Sequence, residues 1–272
     1  MLQVVPAAAD LRIRFAPEKD YGPFVYRDES GQILGLSVDI LREVATAGDL
    51  SVDMLPARSL GDILEAVRAG DVDLVSSLRP NPERGTFLDF SQAYVAVPAI
   101  LVERAVGPRH VLDEMAGRRV AVGKGFAVEA FVRNKYPAVE WVALPDDSQC
   151  LQALADGQVD AVVADAASVA FVRSRQQLPE LTTGAPVGFD YALSFAYPKG
   201  RVDIGAALEK GLRALTSDQR RAIFDRWMPP TVEHATDWRK VAVGWGATGF
   251  AALAALVAVV AMLRRGRHAR PR

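Results

Sequence analysis

From Ile63 onward the chain alternates between two rhythms. In ILEAVRAGDVDLVSSL, residues 63–78, apolar side chains return at helical spacing, Gly70 interrupts them, and a short apolar run, VDLV, follows. The pattern predicts an amphipathic helix closed by a glycine able to take the left-handed C-cap conformation, then a tight turn into a buried strand. It returns in CLQALADGQVDAVVAD, residues 150–165: Leu64, Ala66, Gly70, Val72, Asp73 and Val75 match Leu151, Ala153, Gly157, Val159, Asp160 and Val162 at one constant offset. Upstream of each copy lies another helix and strand, ending in DMLP at Pro56 and in VALP at Pro145. Two β-α-β-α-β units are therefore expected. They imply an α/β fold of two lobes, each with a parallel sheet covered by helices on both faces.

The segments AYVAVPAILVERA and DYALSFAYPKG read as extended and suit paired crossings between the lobes. The second crossing would bring the chain back to the first lobe, where helices near 203–215 and 218–227 pack through Leu208, Leu212, Ile223 and Trp227. Lobe 1 is then 10–98 plus 193–229, lobe 2 is 99–192, and 230–240 is a linker.

A different pattern follows. Val241 to Leu263 passes without a charge, long enough as a helix to cross roughly 30 Å of hydrocarbon. After this expected transmembrane helix comes RRGRHARPR, residues 264–272, richer in arginine than the preceding flank. The positive-inside tendency puts that tail in the cytoplasm and the lobes in the periplasm, on a single-pass inner-membrane protein. Export needs a signal, and MLQVVPAAADLRIRF lacks a basic start and has only a short apolar run, so it reads as a signal remnant or a misassigned start. Gly244 with Thr248 and Ala251 with Ala255 place small residues four apart, a spacing that permits a homodimer through the membrane helix.

Composition removes several classes. With a formal charge of −1 there is no reason to expect nucleic acid. A single cysteine, Cys150, excludes an internal disulfide framework and sits among Ala153, Leu151 and Leu154 as a small buried residue. His110, His234 and His268 lie far apart, as surface or loop residues, without metal-ligand or Cys/His catalytic spacing.

The chemistry concentrates in VSSLRPNPERGTFLDFSQAY, residues 75–94. Ligands of open parallel α/β sheets bind beyond the carboxyl ends of strands, and residues 76–84 directly follow VDLV. Ser76, Ser77, Arg79 and Arg84 would then stand at the cleft mouth, while the second copy carries Asp165 where the first has Leu78. Cations on one wall and an anion on the other suit a zwitterion. The alternative for Arg84 is an ion pair with Glu83 or Asp89, and for Arg79 a position in solvent before Pro80.

Five stretches in order, YGPFVYRDESGQILGLSVDILREVA, RAGDVDLVSSLRPNPERGTFLDFSQAY, GRRVAVGKGFAVEAF, DGQVDAVVADAASVAF and RAIFDRW, resemble the amino-acid-type (family 3) extracytoplasmic solute-binding proteins. That family includes the Venus-flytrap sensor domains of bacterial transmembrane receptors, and the resemblance runs from about Leu11 to Trp227. It implies a two-lobed periplasmic-binding-protein-like (type II) fold, a small amino-acid or carboxylate ligand and no cofactor. Arg84 falls where the family binds a carboxylate, Ser77 supplies backbone or hydroxyl contacts, Asp165 receives an amino group, and Tyr21 stacks on the ligand.

The sequence departs from that pattern at three places. Arg79 stands where amino-acid binders commonly have Ser or Thr, an extra cation that favours a ligand with two acidic groups. Phe126 and Ala127 replace the usual Ser/Thr pair after Gly125, although backbone N–H groups at that helix start can still bind an anion. Gly123 and Gly125 with Asp146 imitate a dinucleotide fingerprint, but Val128 replaces its third glycine.

The expected function is a ligand-sensing input domain of a signalling receptor whose output domain would follow residue 272. A membrane-tethered transporter component is the alternative within the binding class. A periplasmic dehydratase would need an acid poised in the cleft, with Glu83, Asp165 and Asp190 as candidates. A lytic transglycosylase would need a further catalytic domain after Trp227, for which the sequence leaves no room.

Overall fold

The computed structural model describes residues 11–228 apart from 177 and 179. Lobe 1 opens with β1 (Leu11–Phe15), three short strands β2 (Asp20–Tyr21), β3 (Val25–Arg27) and β4 (Ile33–Leu34), then α1 (Leu36–Gly48), β5 (Leu50–Met54), α2 (Leu60–Arg68) and β6 (Val75–Leu78). Strand β1 pairs in parallel with β5, and Phe15 bridges Leu74 in parallel just before β6. Arg14 is held to Asp73 by its side chain and backbone, which pins the turn between α2 and β6. With Asp73 in that turn, the strand predicted at 72–75 begins at Val75 instead. Ser76 and Ser77 consequently lie inside the strand and not beyond it.

After a short β7 (Leu88–Phe90), β8 (Val95–Arg104) crosses to lobe 2. There β9 (Arg119–Gly123), α3 (Ala127–Lys135), β10 (Glu140–Leu144), α4 (Asp147–Ala155), β11 (Ala161–Asp165) and α5 (Ala166–Arg175) repeat the first pattern. The strands run parallel in the order β10-β9-β11, joined through antiparallel β8 to β12 (Leu181–Pro198). Both predicted crossings are thus strands, and they pair with each other. Where the chain leaves α2 and α4, Gly70 and Gly157 take φ of 81° and 73°, the left-handed geometry expected of each.

The chain ends its described part with α6 (Val202–Ala214) and α7 (Ser217–Trp227), both packed on α1. Leu208, Leu212 and Ile223 are buried there, and Trp227 is packed against the same core. Asp39 on α1 accepts hydrogen bonds from Arg226 and from the Trp227 indole, so the end of α7 is fastened to lobe 1. Cys150 is buried in an apolar cluster of lobe 2 with Leu151, Leu154 and Val162. His110 lies in a loop, half-buried, where its Nδ1 and its backbone N–H both meet the Glu103 carboxylate.

Among the described residues no helix is long and apolar enough to cross a membrane. The predicted linker 230–240, the span 241–263 and the tail 264–272 lie outside the described residues.

Candidate functional site

Between the lobes, beside the crossing strands, is a cavity of about 20 Å³, space for about one water. Lobe 1 contributes Glu18, Tyr21, Leu60, Ser77, Leu78 and the two arginines, Arg79 and Arg84, and lobe 2 contributes Phe126 and Ala127. Tyr191 and Leu193 enter from the second crossing strand.

Arg84 leaves a one-turn 3-10 helix after β6 and is only 4% exposed. Among the described residues no carboxylate lies within ion-pair distance of it; the surface pair at this place is Arg68 with Glu83. Its guanidinium donates instead to the Arg79 carbonyl at 2.9 Å and, across the lobes, to the Gly125 carbonyl at 2.8 Å. Burial pulls its pKa down to about 10, partly offset by the nearby charge of Glu18, so Arg84 is cationic at neutral pH. Glu18 is pushed up to about 8, again by burial, against the pull of Arg84.

Of the other predicted residues, Tyr21, Ser77 and Arg79 line the cavity, whereas Gly125 and Asp165 are not among its lining residues. Tyr21 packs on Phe24 and, across the lobes, on Phe126, with ring centroids 5.0 and 5.5 Å apart. Arg79 lies over the Phe189 ring at 3.9 Å, half-buried instead of solvated. Ser77 holds a left-handed φ of 58°, uncommon for a residue with a Cβ. Its N–H donates to the Tyr94 hydroxyl and its own hydroxyl to Ser37, a buried network that holds the unusual backbone in place.

On the lobe 2 side, Gly125 has φ of 75° and its N–H is taken by Glu129 of the following helix, so a side chain already meets the donor expected for an anion. Asp165 is fully buried at the end of β11 and caps α5 by accepting from the Ser168 N–H at 2.7 Å. Its other oxygen, Oδ2, has no hydrogen-bond partner among the described residues. Burial raises its pKa to about 6 despite the bonds from Ser168.

Further contacts hold the lobes together. Phe171 of α5 sits where any Cβ on Gly22 would overlap its ring, and it packs on Tyr26 at 4.8 Å. Glu18, Phe171, Tyr191 and Asp147 carried no recognisable signal in the sequence. Asp146, read there for its likeness to a ribose-binding acid, is the N-cap of α4 and accepts from the Gln149 N–H. Of the acids considered for a dehydratase, Glu83 and Asp190 are exposed. Among the described residues no group of acids, histidines and cysteine has the arrangement of a metal site.

Two α/β lobes joined by paired crossing strands, with a polar cleft between them, define the periplasmic-binding-protein class. Residues 13–230 match the bacterial extracellular solute-binding proteins, family 3, and the chain belongs to that family. The virulence sensor protein BvgS of Bordetella pertussis is 25% identical over 209 residues, 76% of this chain but 17% of that protein. The putative ABC transporter arginine-binding protein 2 of Escherichia coli K12 is 24% identical over 231 residues, 81% of this chain and 92% of that protein. A crystal structure of a histidine kinase sensor domain with similarity to periplasmic binding proteins has the same fold, with a TM-score of 0.76 at 21% identity over 81% of this chain and 99% of that one.

Proposed function

We propose that the protein is a periplasmic sensor domain that closes on a small amino-acid-like or carboxylate solute, with Val241 to Leu263 as its membrane anchor and, as a dimer through that helix, the input part of a signalling receptor. The observation that carries this reading is a pair of buried ionisable side chains, one in each lobe. Among the described residues the Arg84 guanidinium in lobe 1 is hydrogen-bonded only to neutral carbonyls, one of them from lobe 2, and Asp165 in lobe 2 keeps one oxygen without a hydrogen-bond partner. A ligand carboxylate would replace the two carbonyls with a charge-assisted, bidentate contact, and a ligand ammonium would take Asp165 Oδ2. Each contact is fully desolvated only when the lobes meet, so ligand binding and closure support each other. Similarity to a sensor kinase domain and to BvgS supports the signalling role. The match across nearly all of a transporter's arginine-binding protein supports a second reading, a tethered transporter component. Loss of solute uptake, and not of a transcriptional response, on deletion would favour that second reading.

Calorimetry on the full chain with the standard L-amino acids and their deaminated counterparts tests the site. Arg84→Ala is expected to weaken binding by roughly 2–5 kcal/mol, about 30-fold to several thousand-fold, with little change in folding. Asp165→Asn is expected to weaken amino acids and spare the deaminated acids. Wild-type affinity in Arg84→Ala would overturn the assignment. For the anchor, a reporter fused after Arg272 should be active in the cytoplasm; activity only in the periplasm would reverse the topology.

A further inference from the structure

Several donors stand around the cavity, and most of them are already engaged. The Ser77 N–H donates to the Tyr94 hydroxyl and the Ser77 hydroxyl to Ser37, while the Arg84 guanidinium is bonded to the Arg79 and Gly125 carbonyls. At the start of α3 the Gly125 N–H is taken by Glu129. Arg79 is the exception. Its side chain lines the cavity, half-buried, and among the described residues its guanidinium has neither a hydrogen bond nor an ion pair, since only its carbonyl is bonded, to Arg84. Asp190, the acid whose charge it feels, is exposed and beyond ion-pair distance.

This free guanidinium is nonetheless held in place. It lies flat on the contact side of Phe189, 3.9 Å from the ring centroid, and Phe189 is itself buried between Phe131 and Tyr191 at 5.1 and 5.2 Å. Stacking covers one face of the planar group and leaves its N–H edges available, the geometry in which an arginine receives a carboxylate. The frame does not call for a cation here: at the constant offset between the two copies Arg79 answers to Ala166, which follows its strand in the same way. Keeping it has a cost, because burial lowers the pKa of Arg79, and burial together with the charge of Arg79 lowers that of Arg84. The acid lining the cavity, Glu18, is pushed up to about 8 by burial and so holds its proton at neutral pH. Two guanidiniums therefore face one cavity without a carboxylate to balance them, a charge pattern that a ligand can complete.

We propose, on the reading that this cleft is the ligand site, that Arg79 stacked on Phe189 is a second anion receptor and that the ligand is a diacid, with one carboxylate on Arg84 and the other on Arg79. The ligand enters as the lobes part and takes the place of the Gly125 carbonyl on Arg84. Phe189 is the positioning residue, fixing the plane in which Arg79 offers its donors. The shared chemistry is the second carboxylate, carried either by an acidic amino acid or by a plain dicarboxylate.

Calorimetry on the full chain tests this with acids and amides of matched shape, L-glutamate against L-glutamine and L-aspartate against L-asparagine, and with glutarate and succinate against butyrate. At least one diacid should bind about tenfold or more tighter than its monoacid counterpart, and Arg79→Gln should collapse that ratio to near unity. Should Arg79→Gln fail to fold, Arg79→Lys, which keeps the charge and loses the paired donors, should lower the ratio severalfold. Preference for L-glutamate or L-aspartate alone identifies an acidic amino acid, and preference for glutarate or succinate alone a plain dicarboxylate; either supports the second receptor. A wild type that binds acids and amides equally, or an Arg79→Gln variant that weakens both and keeps the ratio, overturns it and leaves the cleft standing as a ligand site. No binding of any of these probes or of any other standard L-amino acid overturns both.

Discussion

The two lobes share one supersecondary plan and differ most where they face each other. Ser59 and Asp146 cap α2 and α4 by the same contact, side-chain oxygen to the N–H three residues on. Behind the caps, however, lobe 1 presents Leu60 and Leu78 and borrows its charge from Arg84 in the loop after the strand, whereas lobe 2 presents Asp147 and Asp165 from the elements themselves. The comparison teaches that caps, turns and register are what the repeat must keep. The buried residues at the helix start and the strand end can change from apolar to acidic without altering the backbone plan. The cleft's polarity thus arises from a few positions on a duplicated frame.

The repeat also packs unequally, and the largest expected effect exploits this. Leu151 is completely buried, but its counterpart Leu64 is only half-buried at the core's edge. Leu151→Ala should cost about 2–5 kcal/mol in urea unfolding and Leu64→Ala about 1 kcal/mol or less. Equal losses would mean that the lobes are closer to true copies than their burial indicates.

Next in size is the response to pH, which should come from the acidic wall. An acid whose folded pKa exceeds its unfolded one binds protons more tightly when folded. Its contribution to stability is complete below the ordinary value, 3.8 for Asp and 4.5 for Glu, and is lost as pH rises through about 6 for Asp165 and about 8 for Glu18. Asp73, held below its ordinary value by Arg14, acts in the opposite sense and only in more acidic solution. The melting temperature should therefore fall by roughly 10 °C between about pH 4.5 and 8. Giving lobe 2 the lobe 1 residue, Asp147→Leu, should raise neutral stability by about 1–3 kcal/mol, with the gain shrinking toward pH 4. A variant less stable than wild type at neutral pH would show that Asp147 supports the fold after all.

The smallest effect should be the most symmetrical. Ser59→Ala and Asp146→Ala each remove one cap and should each cost about 1 kcal/mol by thermal unfolding. A cost confined to one lobe would end the claim that the two caps do the same work.

Much of this arrangement was legible in the sequence because it is local. The constant offset between residues 63–78 and 150–165, the helical spacing, and Gly70 and Gly157 at the turns belong to the chain itself, and they anticipated two β-α-β-α-β units and the crossings at β8 and β12. The site was legible in part. Arg84 and Asp165 stood out as charges at equivalent strand ends, but whether Arg84 formed a surface ion pair could not be read from Glu83 and Asp89 as neighbours. In the fold Glu83 turns to Arg68, while Arg84 crosses to Gly125. Strand β6 began later than its apolar run suggested because Arg14, distant in sequence, claims Asp73 for the turn. Asp147 was invisible for a similar reason. An acid next to a helix cap reads as a solvated charge stabilising the N-terminus, and only tertiary packing takes it out of water. Periodicity and capping are decided by neighbours a few residues away, so the sequence determined the lobes. Desolvation depends on which distant segments fill the remaining space, so the tertiary structure decided which charges are buried and what they face.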